Sequence, residues 1–88
     1  REDGSWLVDG GASIDDMVRR LDVRLGPLPR EYSTVSGLVL AELERIPVAG
    51  DTLRWQGLIV EVVDMDGRRI DKLLVRRVEP STPERPGG

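Results

Sequence analysis

Residues 52–78 read TLRWQGLIVEVVDMDGRRIDKLLVRRV, and this stretch decides the fold. Thr52 to Trp55 form a short extended run, Gln56-Gly57 a tight turn, and residues 58–65 a strand rich in β-branched side chains. Asp66-Gly67 then leads into a further strand over residues 68–78. An Asp-Gly pair between two such runs predicts a hairpin with a type I′ turn, which needs positive φ at both central residues. Ile70 and Leu73 break strict alternation. A bulge near Asp71-Lys72 would bring Leu73 and Val75 back to the face that Ile70 uses.

Working toward the N-terminus, Ala49-Gly50-Asp51 reads as a turn, and Pro47 ends whatever precedes it. A helix is expected from near Ser33 or Thr34 to about Arg45, with Val35, Leu38, Val39, Leu43 and Ile46 on one stripe. Gly37 falls in its first turn at a cost of about 1 kcal/mol of helix propensity against Ala. That cost implies a reason, such as close approach of another backbone. Residues 25–29 carry one glycine and two prolines and read as a connection. Before it, Ile14, Met17, Val18 and Leu21 recur at helical spacing behind Ser13, a good N-cap. Asp15 and Asp16 open that helix, and Arg19 and Arg20 close it, as the helix dipole favours. Residues 5–8 form a first strand ended by Asp9-Gly10-Gly11.

The element order is therefore β-α-α-β-β-β in one α+β domain over residues 1–78. An antiparallel sheet with two helices packed on one face buries the most apolar surface this pattern allows. Residues 79–88 hold three prolines, two glycines and no apolar side chain, and are expected to form a disordered tail.

Composition narrows the function. The chain has 88 residues, no Cys, no His, no Phe and a net charge of −3. Without Cys there is no disulfide or thiol chemistry, and without His the commonest general base and metal ligand is missing. No nucleophile–base pair stands out, so the expectation is a non-catalytic domain. An acidic chain with few aromatics does not suit nucleic acid. No apolar run approaches the roughly 20 residues that span a bilayer, so this stretch is not expected to insert in one. The first residue is Arg1 rather than Met, which fits a piece of a longer polypeptide.

Several signals invite a site. Asp64-x-Asp66-Gly67 resembles the start of a calcium loop, but the later ligands are absent and the segment lies in a hairpin. Arg68, Arg69 and Lys72, with Arg76 and Arg77, form a basic cluster on one strand. Arg68, Arg69 and Lys72 are the candidate phosphate contacts for FAD or an adenine nucleotide. The bland alternative is the solvated, outward face of an edge strand, where charge blocks aggregation. Trp6, Trp55 and Gly37 are the candidate interface residues.

Taken in order, these segments resemble a known family. The run from Asp3 to Gly10 is similar to the opening of the CorC/HlyC transporter-associated domain. The run from Ser13 to Met17 resembles its first helix start, and Glu31 to Val39 its second helix. Arg45-Ile46-Pro47-x-x-Gly50-Asp51 resembles its "r-I-P-x-x-G-[DE]" turn, and residues 58–62 with 68–70 its closing hairpin. Ser33 stands where relatives often carry Asp. The resemblance implies a regulatory domain on the cytoplasmic face of the bacterial inner membrane. It would sit at the end of an integral membrane protein that carries a pair of CBS domains and moves magnesium, cobalt or related cations. The implied partners are that CBS pair, the membrane domain and a second copy of the domain. The family's fold is also similar to a subdomain of vanillyl-alcohol-oxidase-type flavoproteins, which implies a possible link to FAD.

Overall fold

The computed structural model describes residues 4–21, 26 and 31–78. The expected tail at residues 79–88 and most of the expected connection at residues 25–29 lie outside them. The elements are β1 (Ser5–Asp9), α1 (Ile14–Leu21), α2 (Val35–Leu43), β2 (Thr52–Trp55), β3 (Leu58–Asp66) and β4 (Arg69–Arg77). The order is the expected one, and all four strands form one antiparallel sheet in the order β1-β4-β3-β2.

Each strand sends alternate side chains to one face. On the inner face, Trp55, Leu58, Val60, Val62, Ile70, Leu73 and Val75 join Ile14, Met17 and Leu21 of α1 and Val35, Leu38 and Val39 of α2 in one aliphatic core. Burying each such side chain contributes about 1.5–3 kcal/mol, the main favourable term for a domain of this size. The bulge falls where expected. Met65 pairs with Ile70 and Asp64 with Lys72, so Asp71 is extra on β4; Asp64 with Lys72 and Val62 with Leu73 leave Val63 extra on β3 as well, and Ile70, Leu73 and Val75 all turn inward.

Three expectations need correction. The last strand is not an edge: β4 is paired to β1 on one side and β3 on the other, because the N-terminal strand docks beside it. The second helix ends at Leu43, where Glu44 takes the left-handed conformation (φ 59°) and its N–H closes on the Leu40 carbonyl. Ile46 therefore leaves the stripe and is 43% exposed. Finally, the β3–β4 loop is Gly67-Arg68, since Asp66 pairs with Arg69. Of these two only Gly67 has positive φ (64°), as a type II′ turn requires. The pair with positive φ at both centres is Gln56 (49°) and Gly57 (84°), joining β2 to β3.

Candidate functional site

Two joints hold the surface elements. At the first, Ser13 caps α1, its Oγ accepting the Asp16 N–H at 3.0 Å, and Thr34 caps α2 by accepting the Gly37 N–H at 3.1 Å. The two helix starts are tied together: the Ile14 N–H donates to the Ser33 carbonyl (2.9 Å) and the Val35 N–H to the Ala12 carbonyl (3.0 Å). Gly10 lies between them and the sheet, donating to the Asp71 carbonyl (2.9 Å) and accepting from the Ser36 N–H (3.0 Å). A β-carbon at Gly10 would overlap the Ile70 carbonyl, so only glycine fits. Because Thr34 is the cap, Ser33 contributes its carbonyl and its side chain identity does not matter to the helix start.

The second joint explains the Arg45-to-Asp51 motif. Arg45 grips Asp51 with two nitrogens at 2.8 and 3.0 Å, and the Val48 N–H donates to the same carboxylate at 2.8 Å. Pro47 is buried inside this loop. The Gly50 N–H and the Asp51 carbonyl bond to Val62 and anchor the loop to β3. The Arg45 hydrogen bonds, and then that of Val48, hold the Asp51 carboxyl below its ordinary value. The motif is a clamp between α2 and the sheet.

Arg69, Lys72 and Arg76 lie on the outward face of β4, and Arg68 and Arg77 do not join them. Arg68 is in a turn, and Arg69 pairs with Asp66 at the start of β4. Lys72 lies roughly 10 Å further along at strand rise. It is held by Asp9 at 3.0 Å and Asp71 at 3.6 Å, and the Asp9 hydrogen bond followed by the Asp71 charge raises its pKa. Arg76 faces away from the helices, opposite Ile59. Arg77 turns to the helix side, its guanidinium carbon 5.8 Å from the Trp6 ring centre.

Of the three candidate interface residues, Trp55 is 8% exposed and belongs to the core. Gly37 meets the Tyr32 β-carbon and the Thr34 hydroxyl, at 2.9 and 3.3 Å from where its own β-carbon would stand. The close approach there is a side chain of the preceding segment rather than another backbone. Trp6 is half-buried on β1 and lines a cavity of about 170 Å³ between β1 and α1, with Val8, Ala12, Met17 and Leu21 as an apolar floor. Asp9, Asp16, Arg20 and Lys72 form the charged rim. Sequence reasoning saw Arg20 only as a dipole partner, since nothing local to it shows that the first strand would lie beside it.

The sheet face opposite the helices was also missed. Leu7, Leu74 and Glu61 form one cross-strand row there, and Arg76, Ile59 and Arg54 the next. Leu7 is 53% exposed, and Ile59 and Leu74 are half-buried. Alternation in residues 58–62 and 73–76 carried that signal.

No group of three or more carboxylates that could hold a metal occurs among the described residues. FAD does not fit the cavity that the described residues line. The cavity lies below the roughly 300–1,000 Å³ of pockets that enclose drug-sized ligands, and of the three candidate phosphate contacts only Lys72 borders it.

The model of the transporter-associated domain named CorC_HlyC matches residues 1–79. A polyamine export protein of Salmonella typhimurium is 44% identical over 79 residues, 90% of this chain but 18% of the relative. The chain thus spans about a fifth of the length of that relative. Among solved structures, the transporter-associated domain of a Xylella fastidiosa hemolysin is 40% identical with a TM-score of 0.76, covering 89% of this chain and 90% of that one. The corresponding domain of a CBS domain protein from Porphyromonas gingivalis is 34% identical with a TM-score of 0.78, covering 88% and 92%.

Proposed function

The chain belongs to the CorC/HlyC transporter-associated domain family, and from that premise we propose that it is a non-catalytic regulatory module of a cation-exporting membrane protein, acting by docking on the rest of that protein. The observation that carries this reading is a sheet face that no described helix or strand covers. Both helices pack on one side, leaving Leu7, Ile59 and Leu74 with the flanking Arg54 and Arg76 on the other. An apolar centre with an arginine rim suits contact with another protein surface better than it suits catalysis.

The proposed cargo is a multiply charged cation. The family resemblance points to magnesium or cobalt, and the Salmonella relative is named for polyamines; both are multiply charged cations. The domain would lie on the cytoplasmic side of the inner membrane beside a CBS pair, where its docked and undocked positions bias the transport pathway. A domain alters that equilibrium only by as much as it prefers one arrangement of its partner.

The test is to express the parent protein without this domain and supply the 88-residue chain separately. Co-purification is expected, together with a change in cation efflux from cells. Ile59→Glu with Leu74→Glu, a pair that leaves the core untouched, should abolish both. Efflux indifferent to the presence of the domain would refute the regulatory reading. A dimer of the isolated chain with no affinity for the parent would replace docking by self-association.

A further inference from the structure

The hydrogen-bond phase of the sheet shows which backbone groups of β1 are used. The Gly10 N–H reaches the Asp71 carbonyl at 2.9 Å, which makes Gly10/Asp71 a hydrogen-bonded pair. Pairs alternate along an antiparallel ladder, so by the observed register Trp6/Val75 and Val8/Leu73 are bonded pairs too. The backbone groups of Leu7 and Asp9 therefore point away from β4, along the outer edge of the sheet. The Asp9 carbonyl is taken by the Ala12 N–H at 3.0 Å. The Leu7 N–H and C=O and the Asp9 N–H remain, with no backbone partner among the described residues.

That edge borders the cavity between β1 and α1, which is floored by Trp6, Val8, Met17 and Leu21. On the rim, Asp9 is engaged by Lys72 and Asp16 by Arg19 at 3.1 Å. Arg20 is exposed and makes no ion pair among the described residues. The opposite edge, β2, carries the exposed charge of Arg54; β1 carries the exposed Leu7 and Asp9, whose charge Lys72 offsets.

We propose that the groove between β1 and α1 binds an extended peptide segment by strand addition, with an apolar side chain in the cavity and an acidic side chain on Arg20. The two side chains stand two residues apart, since both must face the helix side. The occupant is a segment of the same polypeptide outside this domain. Three backbone groups and one pocket make a weak site for a free peptide. Tethering to one chain supplies an effective concentration in the millimolar range, enough to fill such a site. In the Salmonella relative four-fifths of the polypeptide lies outside the matched domain. The inference rests on the docking reading and adds to its sheet face a second contact, at the β1 edge, with its ligand chemistry.

The experiment uses overlapping twelve-residue peptides covering the rest of the parent polypeptide, arrayed and probed with the labelled 88-residue chain. The best binder is then titrated by fluorescence anisotropy. Bound peptides should share an apolar residue with Asp or Glu two positions away. Leu7→Pro removes an N–H that the β1–β4 ladder does not use, and should weaken binding at least tenfold and by more than Leu7→Ala, which keeps that N–H. Arg20→Glu should weaken the acidic peptide and restore affinity for its Lys counterpart. Should Leu7→Pro misfold by circular dichroism, N-methylation of the peptide at the residue facing Leu7 removes the same bond from the other side. Binding indifferent to both the proline and the N-methyl group would overturn the proposal, as would an array with no binder or a dimer that Leu7→Pro dissociates. If the array is blank but the domain still co-purifies with the parent, only the groove assignment falls. If both fail, the docking reading falls with it.

Discussion

Gly10→Ala is the sharpest test of the packing at the centre of this domain. The substitution places a methyl group on the Ile70 carbonyl, and backbone cannot rotate out of the way as a side chain can. Either β4 or the β1–α1 connection must move. Movement lengthens the bonds from Gly10 to Asp71 and from Ser36 to Gly10, now 2.9 and 3.0 Å, each contributing about 1 kcal/mol. Overpacking adds about 1–3 kcal/mol. The expected loss is about 3–5 kcal/mol, a large share of what a small domain has. The control is the adjacent residue. A β-carbon at Gly11 meets nothing within 4 Å, and its φ is not in the left-handed region. Gly11→Ala should change stability by no more than about 0.5 kcal/mol, or raise it slightly through a stiffer unfolded chain. Urea unfolding followed by Trp fluorescence measures both. At about 4–8 °C per kcal/mol for a chain of this size, Gly10→Ala should also lower the melting temperature by at least about 12 °C. A loss under about 1 kcal/mol at Gly10, or equal losses at the two glycines, would show that the clamp between β4 and the helix starts is not a rigid joint.

Other substitutions test the remaining local assignments. Asp51→Asn should lower the urea midpoint at neutral pH and flatten its acid dependence; because the folded pKa lies below the ordinary 3.8, the stabilisation is present above that value and disappears as pH falls through the lowered one. A wild type and variant that lose stability in parallel below pH 4 would contradict the Arg45–Asp51 clamp. Gly37→Ala should destabilise the native chain, and less so in a Tyr32→Gly background, where the β-carbon it meets is gone and helix propensity favours Ala by about 1 kcal/mol; a double-mutant cycle in urea reads the coupling. Thr34→Ala should cost about 1 kcal/mol as a lost N-cap, whereas Ser33→Asp should be neutral within about 0.5 kcal/mol, both by thermal melting.

What could be read from the sequence and what could not divide along a physical line. Element identity rests on local information: β-branched runs made β3, helical spacing made α1, and the interrupted alternation at Asp71 located the bulge on β4. The hairpin type rests on one residue's φ, and here two-residue pairing moved the turn by one position, so that Gly67 leads the loop instead of closing it. Strand order is non-local. Nothing within residues 69–77 distinguishes an interior strand from an edge, because its charged residues, Arg69, Asp71, Lys72, Arg76 and Arg77, sit at positions either assignment tolerates. Only the docking of residues 5–9 beside β4 makes it interior. That single non-local fact also rearranges the candidate site. It hands Lys72 to Asp9, brings Arg77 over Trp6, and places Arg20 at the mouth of a cavity beside the new edge. A functional reading that stopped at the basic cluster would have looked for a ligand on β4. The topology moves the search one strand over, to β1, where among the described residues Leu7 backbone groups without a backbone partner, an apolar floor and an arginine without an ion pair lie together.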